Sequence, residues 1–119
     1  MAKMVVLITA RVAEGHAVGE AWQAGGAPGV TFLEGYGLHN YQRASKSVEI
    51  LPGTFSMTEA LRQNEEHSLI VLAVVKNDLV DSLIRIAEDV MGDMYAPNAG
   101  ILFTLDVGQL VGLRLVKNP

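Results

Sequence analysis

The sequence predicts an α+β fold, a ferredoxin-like βαββαβ sandwich, as a single domain spanning residues 1–119. Four short segments rich in Val, Ile, Leu and Phe have the composition of β-strands, and apolar residues recur at helical spacing after the first and the third of them. A long excursion without a regular period, residues 38–66, separates the two halves. The strands are predicted at Met4–Ala10, Val30–Glu34, His67–Val75 and Ile101–Val107.

The first helix is predicted at Val12–Gln23, where two sets of residues recur at helical spacing. Gly15 and Gly19 lower its intrinsic helix propensity. The helix is expected to end at Gly25–Gly29, because glycine adopts left-handed conformations past a helix end and Pro28 has no N–H to donate.

The second helix is predicted from an apolar stripe of period 3.6 that runs through residues 79–91. The pair Asn77-Asp78 precedes it and is expected to supply the N-cap, and Gly92 suits the position after its last turn. Two minor elements are also predicted, a helical turn at Thr58–Arg62 inside the excursion and a short edge strand at Val111–Val116.

In this topology both helices cover one face of an antiparallel sheet, and the opposite face is normally wet, which gives strands of alternating polarity. Three segments are instead continuously apolar, namely Met4–Ile8, Leu69–Val75 and Ile101–Phe103. Only 18% of the residues are charged, against about 25% in ordinary soluble domains. Each large apolar side chain left in water would forgo roughly 1.5–3 kcal/mol. The sequence therefore predicts a homo-oligomer that packs the backs of its sheets together.

Charge and apolar run lengths exclude several classes of protein. The net charge of −4 and the pI of about 5.2 argue against nucleic acid as a partner. The longest apolar run, Leu69–Val75, is far below the roughly 18 residues of a membrane-spanning helix, and Val5–Ile8 is too short for a signal sequence. The absence of cysteine excludes disulfides and thiolate zinc sites. We expect a cytoplasmic protein without direct membrane insertion.

No spacing in the chain places an acid, a base or a nucleophile together, so the sequence does not predict an enzyme. His16, His39 and His67 lie far apart and form no local metal motif. Two glycine motifs remain. Gly35-Tyr36-Gly37 follows a strand, and its glycines allow either a plain turn or the close approach of a ligand. Pro97–Gly100 precedes a strand and forms either a turn or a nest of backbone N–H groups that binds an anion.

The order of these motifs resembles the PII signalling family, the nitrogen regulatory P-II proteins. In that family a strand ends in Gly-[Phe/Tyr]-Gly, a long T-loop follows, and the last strand begins with a D-G-K-I-F-like run and continues D-V-x-Q-A-V. Here Glu34-Gly35-Tyr36-Gly37 precedes the excursion, and residues 99–111 read Ala-Gly-Ile-Leu-Phe-Thr-Leu-Asp-Val-Gly-Gln-Leu-Val. The resemblance implies a homotrimer of ferredoxin-like subunits, with adenine nucleotides in the clefts between neighbours and long loops that dock on transporters or enzymes.

The resemblance also implies site residues. Gly35 and Gly37 match the glycines at the T-loop base, Gly100 matches the glycine before the last main strand, and Arg114 matches the second of two arginines that contact phosphate. Asn98, in the turn before the last strand, completes the expected ligand-binding set.

Two cationic positions of the family are lost in this chain. Ile101 replaces the phosphate-binding lysine, and Gly112 replaces the first arginine. A charge-assisted hydrogen bond contributes roughly 1.5–3 kcal/mol, so these two losses are expected to weaken triphosphate binding by a few powers of ten.

The leading hypothesis is a PII-like regulator that binds a small effector, an adenine nucleotide such as ATP, ADP or AMP, between subunits. Residues 38–66 would then engage a transporter or a metabolic enzyme. Two alternatives remain. One is a ligand-free trimeric interaction module with a decayed nucleotide pocket, which Ile101 and Gly112 favour. The other is a CutA-like trimer that binds a metal through histidines such as His39 from separate subunits.

Overall fold

The computed structural model describes residues 1–38 and 67–113. Within them the chain forms four strands and two helices in the predicted βαββαβ order. No helix in the described ranges is both long and apolar enough to cross a membrane. The elements are β1 (Ala2–Thr9), α1 (Val12–Ala24), β2 (Thr31–Gly35), β3 (Ser68–Lys76), a 3₁₀ turn (Asn77–Leu79), α2 (Val80–Met91) and β4 (Ile101–Val107).

The four strands form one antiparallel sheet in the order β2-β3-β1-β4, which is the predicted ferredoxin-like topology. Each observed strand lies within two residues of its predicted position, and β4 coincides with it. The central strands β1 and β3 carry the longest ladder, from the pair Ala2 and Lys76 to the pair Thr9 and Leu69.

The hydrophobic core lies between the helices and one face of the sheet. Odd-numbered residues of β1 and β3 point to this face, so Leu7 pairs with Val71 and both are fully buried. From the helices, Val18, Trp22 and Leu83 fill the space above them. Gly19 lets α1 approach the sheet, because a Cβ there would lie 2.4 Å from the ring of Phe32. The glycines that weaken helix propensity thus allow closer packing.

The opposite face of the sheet is apolar, as predicted from the continuous strand composition. Pairing partners share a face, so the register defines its membership. Several side chains are open to solvent in the single chain: Ile101 is 56% exposed and Leu105 is 47% exposed. The apolar members are Ala2, Met4, Val6, Ile8, Leu33, Ile70, Leu72, Val74, Ile101, Phe103, Leu105 and Val107. We call this set the apolar face.

One sequence prediction about the start of a helix is wrong, and a second prediction, of a short strand, is not met in its described part. Asn77 and Asp78 do not cap α2, because they already turn within the 3₁₀ segment and Leu79, which has no side-chain acceptor, occupies the N-cap position. The edge strand predicted at 111–116 is not formed in its described part, residues 111–113. The rest of that segment lies outside the described residues.

The end of α2 is as predicted. The helix stops at Gly92, which has a φ of +76° and donates its N–H to the Glu88 carbonyl at 2.8 Å. The excursion predicted at 38–66, with its helical turn at 58–62, lies outside the described residues except for Leu38.

Trp22 joins the two helices, because its Nε1–H donates to the Leu83 carbonyl oxygen at 2.9 Å in a fully buried site. We expect Trp22→Phe to lower the free energy of unfolding by about 1.5–3 kcal/mol, since both the hydrogen bond and part of the ring volume are lost. Urea unfolding followed by far-ultraviolet circular dichroism measures the change. Tyr95→Phe is the matched control, because Tyr95 is 98% exposed. Equal stability of the two variants would contradict the prediction.

Candidate functional site

The residues predicted to bind a ligand lie at one end of the sheet. Gly35 is the last residue of β2 and pairs with Ser68, the first residue of β3. Ile101, the first residue of β4, pairs with Ile8 near the end of β1. The end of β2, the start of β3, the end of β1 and the start of β4 therefore meet at one end, which we call the loop end. Gly35, Gly37, Asn98 and Gly100 all lie there.

Within one chain these residues form two separate groups. Gly35 and Gly37 belong to β2 and its continuation, whereas Asn98 and Gly100 lead into β4. These strands are the two edges of the sheet, separated by β3 and β1. Three inter-strand spacings amount to about 14 Å. The described chain therefore places one glycine-containing motif on each edge of the sheet, and both motifs lie at the loop end.

Arg114 lies outside the described residues. The chain reaches it from Leu113, which lines a cleft of about 770 Å³ at the other end of the sheet together with Met1 and Asp78. The length of β4, about 20 Å for seven residues, separates this end from Gly100. Gly112, in the place of the family's first arginine, lines the same cleft and has a φ of +91°. The last described residues of a single chain, Gly112 and Leu113, thus lie at the end opposite the loop end.

The segment from Gly92 to Gly100, which we call the 92–100 loop, is built from short-range hydrogen bonds. The Tyr95 N–H donates to Asp93 Oδ1 at 2.9 Å and the Ala96 N–H donates to the Asp93 carbonyl at 3.1 Å. The Ala99 N–H donates to the Ala96 carbonyl at 3.2 Å, and Ala99 is fully buried. These bonds fix the backbone just before β4.

The expected run of free N–H groups at 97–100 is therefore interrupted. The Ala99 N–H is used inside the loop, and proline contributes none. Asn98 has a φ of +66° and Gly100 a φ of +111°. Their N–H groups, on either side of Ala99, make no backbone hydrogen bond in the part of the chain that the structure describes. Two donors, rather than a continuous nest, remain for a ligand.

The glycines differ in what requires them. A Cβ at Gly100 would lie 2.1 Å from the Ile8 carbonyl oxygen, so close packing of the 92–100 loop on β1 already requires glycine. A Cβ at Gly35 would come within 3.0 Å of the flexible end of Ile70. At Gly37 no described atom lies within 4 Å of the added Cβ. No contact among the described residues therefore requires glycine at Gly37.

Arg11 contacts the 92–100 loop of the candidate site, and no sequence motif predicted this contact. Its guanidinium donates to the Met91 carbonyl at 3.3 Å and to the Pro97 carbonyl at 3.2 Å, and it lies 3.6 Å from Glu14 Oε2. The contacts span 80 and 86 residues of sequence, so no local pattern predicts them. Only the arrangement of β1 and β4 side by side brings Arg11 to the 92–100 loop.

A cleft of about 570 Å³ opens at the loop end beside the first turn of α1. It is lined by residues 10–14 together with His16 and His67. The Nδ1 atom of His67 is buried and has no hydrogen-bond partner among the described residues. The ring of His16 lies 4.5 Å from that of Phe32. The two histidines thus border one cleft, although no sequence motif joins them.

No group of three or more potential metal ligands occurs within residues 1–38 and 67–113. His39, the residue on which the metal-binding hypothesis depends, lies outside these ranges. Among the described cations, Lys3 pairs with Asp106 at 3.1 Å across the β1–β4 ladder, far from the loop end. Arg11 is therefore the cation that the described residues bring to the 92–100 loop.

No family model matches the sequence, and a search of curated proteins finds no match. The fold, however, is similar to that of solved PII proteins. Arabidopsis thaliana PII bound to citrate superposes with a TM-score of 0.61 at 20% identity, covering 94% of this chain and 80% of that one. The GlnK–ATP complex of B. subtilis gives 0.54 at 18% identity, covering 89% and 81%. B. subtilis GlnK gives 0.57 at 18%, covering 90% and 85%. The chain has the PII fold, as its sequence motifs predict.

Proposed function

We propose that this protein is a PII-like cytoplasmic regulator that works as a homotrimer. Each cleft between subunits binds a small effector, an adenine nucleotide, and residues 38–66 carry the signal to a protein partner, a transporter or a metabolic enzyme. Nitrogen control is included in the proposal only as what the family resemblance implies. The thermodynamic requirement is that the effector bind one conformation of the regulator better than the other.

The distribution of the predicted ligand-binding residues over the subunit carries this proposal. Gly35 and Gly37 lie on one edge of the sheet, and Asn98 and Gly100 lie on the other. Subunits that pack through their apolar faces bring the edge of one sheet next to the edge of its neighbour. Such an assembly completes, between two chains, a site that one chain leaves divided. The same packing removes the apolar face from water.

The solved neighbours support an anionic effector, since one is a complex with ATP and another is bound to citrate. In this chain Ile101 turns its side chain to the apolar face, away from the helix side of the sheet. It brings no charge to the loop end in place of the family's lysine. We therefore expect ADP or AMP to bind with an affinity similar to that of ATP, because this chain has fewer cations to stabilise the additional phosphate charge of ATP.

Isothermal titration calorimetry of the purified protein with ATP, ADP and AMP tests the effector. We expect binding of at least one nucleotide with a Kd between micromolar and millimolar. Arg114→Ala should weaken it about tenfold or more through loss of a charge-assisted hydrogen bond. Arg85→Ala is the matched control, because Arg85 is exposed on α2. Absence of heat and of thermal shift with all three nucleotides at millimolar concentration would refute the nucleotide part of the proposal.

A second function is favoured by the same losses at Ile101 and Gly112. In this alternative the trimer is a ligand-free interaction module, and residues 38–66 bind their partner without an effector. A trimer that binds no nucleotide, and whose unfolding temperature is the same with and without Arg114→Ala, would support it. Metal analysis of the purified protein separates both functions from a metal-binding trimer that uses His39. That the protein is not an enzyme stays a prediction.

A further inference from the structure

We infer that Arg11 is a positioning residue that holds the 92–100 loop in its ligand-binding shape. The inference rests on the proposed function for its consequence, but its structural basis is independent of any ligand. The guanidinium of Arg11 reaches two carbonyl oxygens on separate segments, that of Met91 at the end of α2 and that of Pro97 in the loop. One side chain therefore fixes the distance between the helix end and the turn that follows it.

The carbonyl groups in the last turn of a helix have no partner within the helix and carry partial negative charge. The last turn of α2 contains no basic residue of its own. Arg11 supplies that charge from the first half of the chain, and its side chain is only 31% exposed. The contact thus satisfies a carbonyl that α2 leaves free and anchors the loop to the same group.

The base of the Arg11 side chain is itself fixed. The backbone N–H of Arg11 donates to Thr9 Oγ1 at 3.0 Å, and Thr9 is buried. The Arg11 carbonyl accepts the N–H of Gly15 at 2.9 Å in the first turn of α1. Arg11 therefore projects from a hydrogen-bonded junction between β1 and α1. Its contact with Pro97 holds the 92–100 loop to this junction.

Two contacts hold the 92–100 loop, one just before Asn98 and one at Gly100. At one point Pro97 is held by Arg11, and at the other the backbone of Gly100 lies directly against the Ile8 carbonyl. Asn98 lies between these points, at a φ of +66°. Without Arg11, the Pro97 end is left to the short-range bonds of Ala96 and Ala99. The orientation of the Asn98 N–H then becomes variable.

The geometry requires arginine rather than lysine. A guanidinium presents several N–H groups in a planar fork and reaches two acceptors at once, whereas an ammonium acts as a compact point charge on a flexible stem. We therefore expect Arg11→Lys to keep one of the two carbonyl contacts and to show an intermediate effect. This grading separates a positioning role from a general effect of positive charge.

Hydrogen exchange measured by NMR on the ligand-free protein tests the inference. In Arg11→Ala, exchange of the Ala96 and Ala99 amides should become about tenfold faster, because loss of charge-assisted bonds makes opening of the loop easier. Arg11→Lys should fall between Arg11→Ala and the parent protein. Because the same native-state bonds are lost, the unfolding temperature should fall by a few degrees, and exchange of core amides such as that of Val71 should speed up by no more than the factor seen in the loop. Arg85→Ala should leave all of these rates unchanged. Unchanged exchange at Ala96 and Ala99 in Arg11→Ala would overturn the inference.

Calorimetry with ATP, ADP and AMP on the same variants tests the consequence for binding. We expect the Kd to rise about tenfold in Arg11→Ala with the assembly mass unchanged, and less in Arg11→Lys. An unchanged Kd together with faster loop exchange would overturn the role in binding. If the parent protein binds none of these nucleotides, the proposed function fails, whereas the exchange rates still decide whether Arg11 positions the loop.

Discussion

Leu105→Asp should convert the assembled protein into monomers. Leu105 lies on the apolar face of β4, opposite Met4, and is 47% exposed in the single chain. An aspartate there is hydrated in the monomer, so the subunit still folds. In an assembly packed through the apolar face the carboxylate is buried without a partner, which costs several kcal/mol for each chain. Light scattering coupled to size exclusion should give a mass near 12.8 kDa for the variant and three times that for the parent.

The matched control for this substitution is Ala17→Asp. It introduces the same charge at an exposed position of α1, on the far side of the core from the apolar face. We expect it to retain the mass of the parent. A parent protein that is monomeric at micromolar concentration would contradict the assembly proposed above. A Leu105→Asp variant that keeps the parent mass would place the interface on another surface.

The fold was predictable because the signals that define it are local and redundant. The β4 strand is rich in β-branched and aromatic residues, with Ile, Phe, Thr and Val among its seven, and it is bounded by Gly100 and Gly108. The α2 helix has an apolar stripe that ends at Gly92. Each element is specified by several residues at once. The apolar face followed from the same strands, because an uninterrupted apolar strand leaves side chains of one kind on both faces.

Features that depend on few atoms or on distant contacts were not predictable to the same degree. The choice between an Asn77 cap and a 3₁₀ turn is decided by backbone geometry at one junction, where the Asn77 N–H donates to the Met1 carbonyl at 2.9 Å. That contact joins the residue before β1 to the residue after β3, which lie far apart in the sequence. Arg11 is a similar case, since its two acceptors lie more than 75 residues away. Sequence patterns of short period do not predict contacts between residues so far apart in the chain.

The motifs named the residues of the candidate site, and the family resemblance implied a ligand between subunits; that these residues bind a ligand stays a prediction. The motifs identified Gly35, Gly37, Asn98 and Gly100, and the structure places all four at the loop end. Their separation onto two edges follows from the strand order, which a linear motif does not encode. Because the strand order puts the two motifs on opposite edges, only neighbouring chains could bring an edge with one motif next to an edge with the other. Under the proposed function the effector binds between the two edges and its binding depends on assembly, so we expect Leu105→Asp to abolish nucleotide binding as well as assembly.

Gly100→Ala should lower the free energy of unfolding by about 2–4 kcal/mol, because two separate constraints act on this residue. Its φ of +111° is a conformation that side chains disfavour, and a Cβ would lie 2.1 Å from the Ile8 carbonyl oxygen. Relief requires that the 92–100 loop move away from β1, which displaces the Asn98 and Gly100 N–H groups. Urea unfolding and calorimetry with nucleotides should both report the change.

Gly37→Ala is the matched control, and it separates stability from binding. No described atom lies within 4 Å of the added Cβ, so we expect the free energy of unfolding to stay within about 0.5 kcal/mol of the parent value. If Gly37 borders the effector, the methyl group occupies space that the ligand needs, and the Kd should rise at unchanged stability. Stability loss in Gly37→Ala equal to that in Gly100→Ala would show that Gly37 is a structural residue. An unchanged Kd would remove Gly37 from the site.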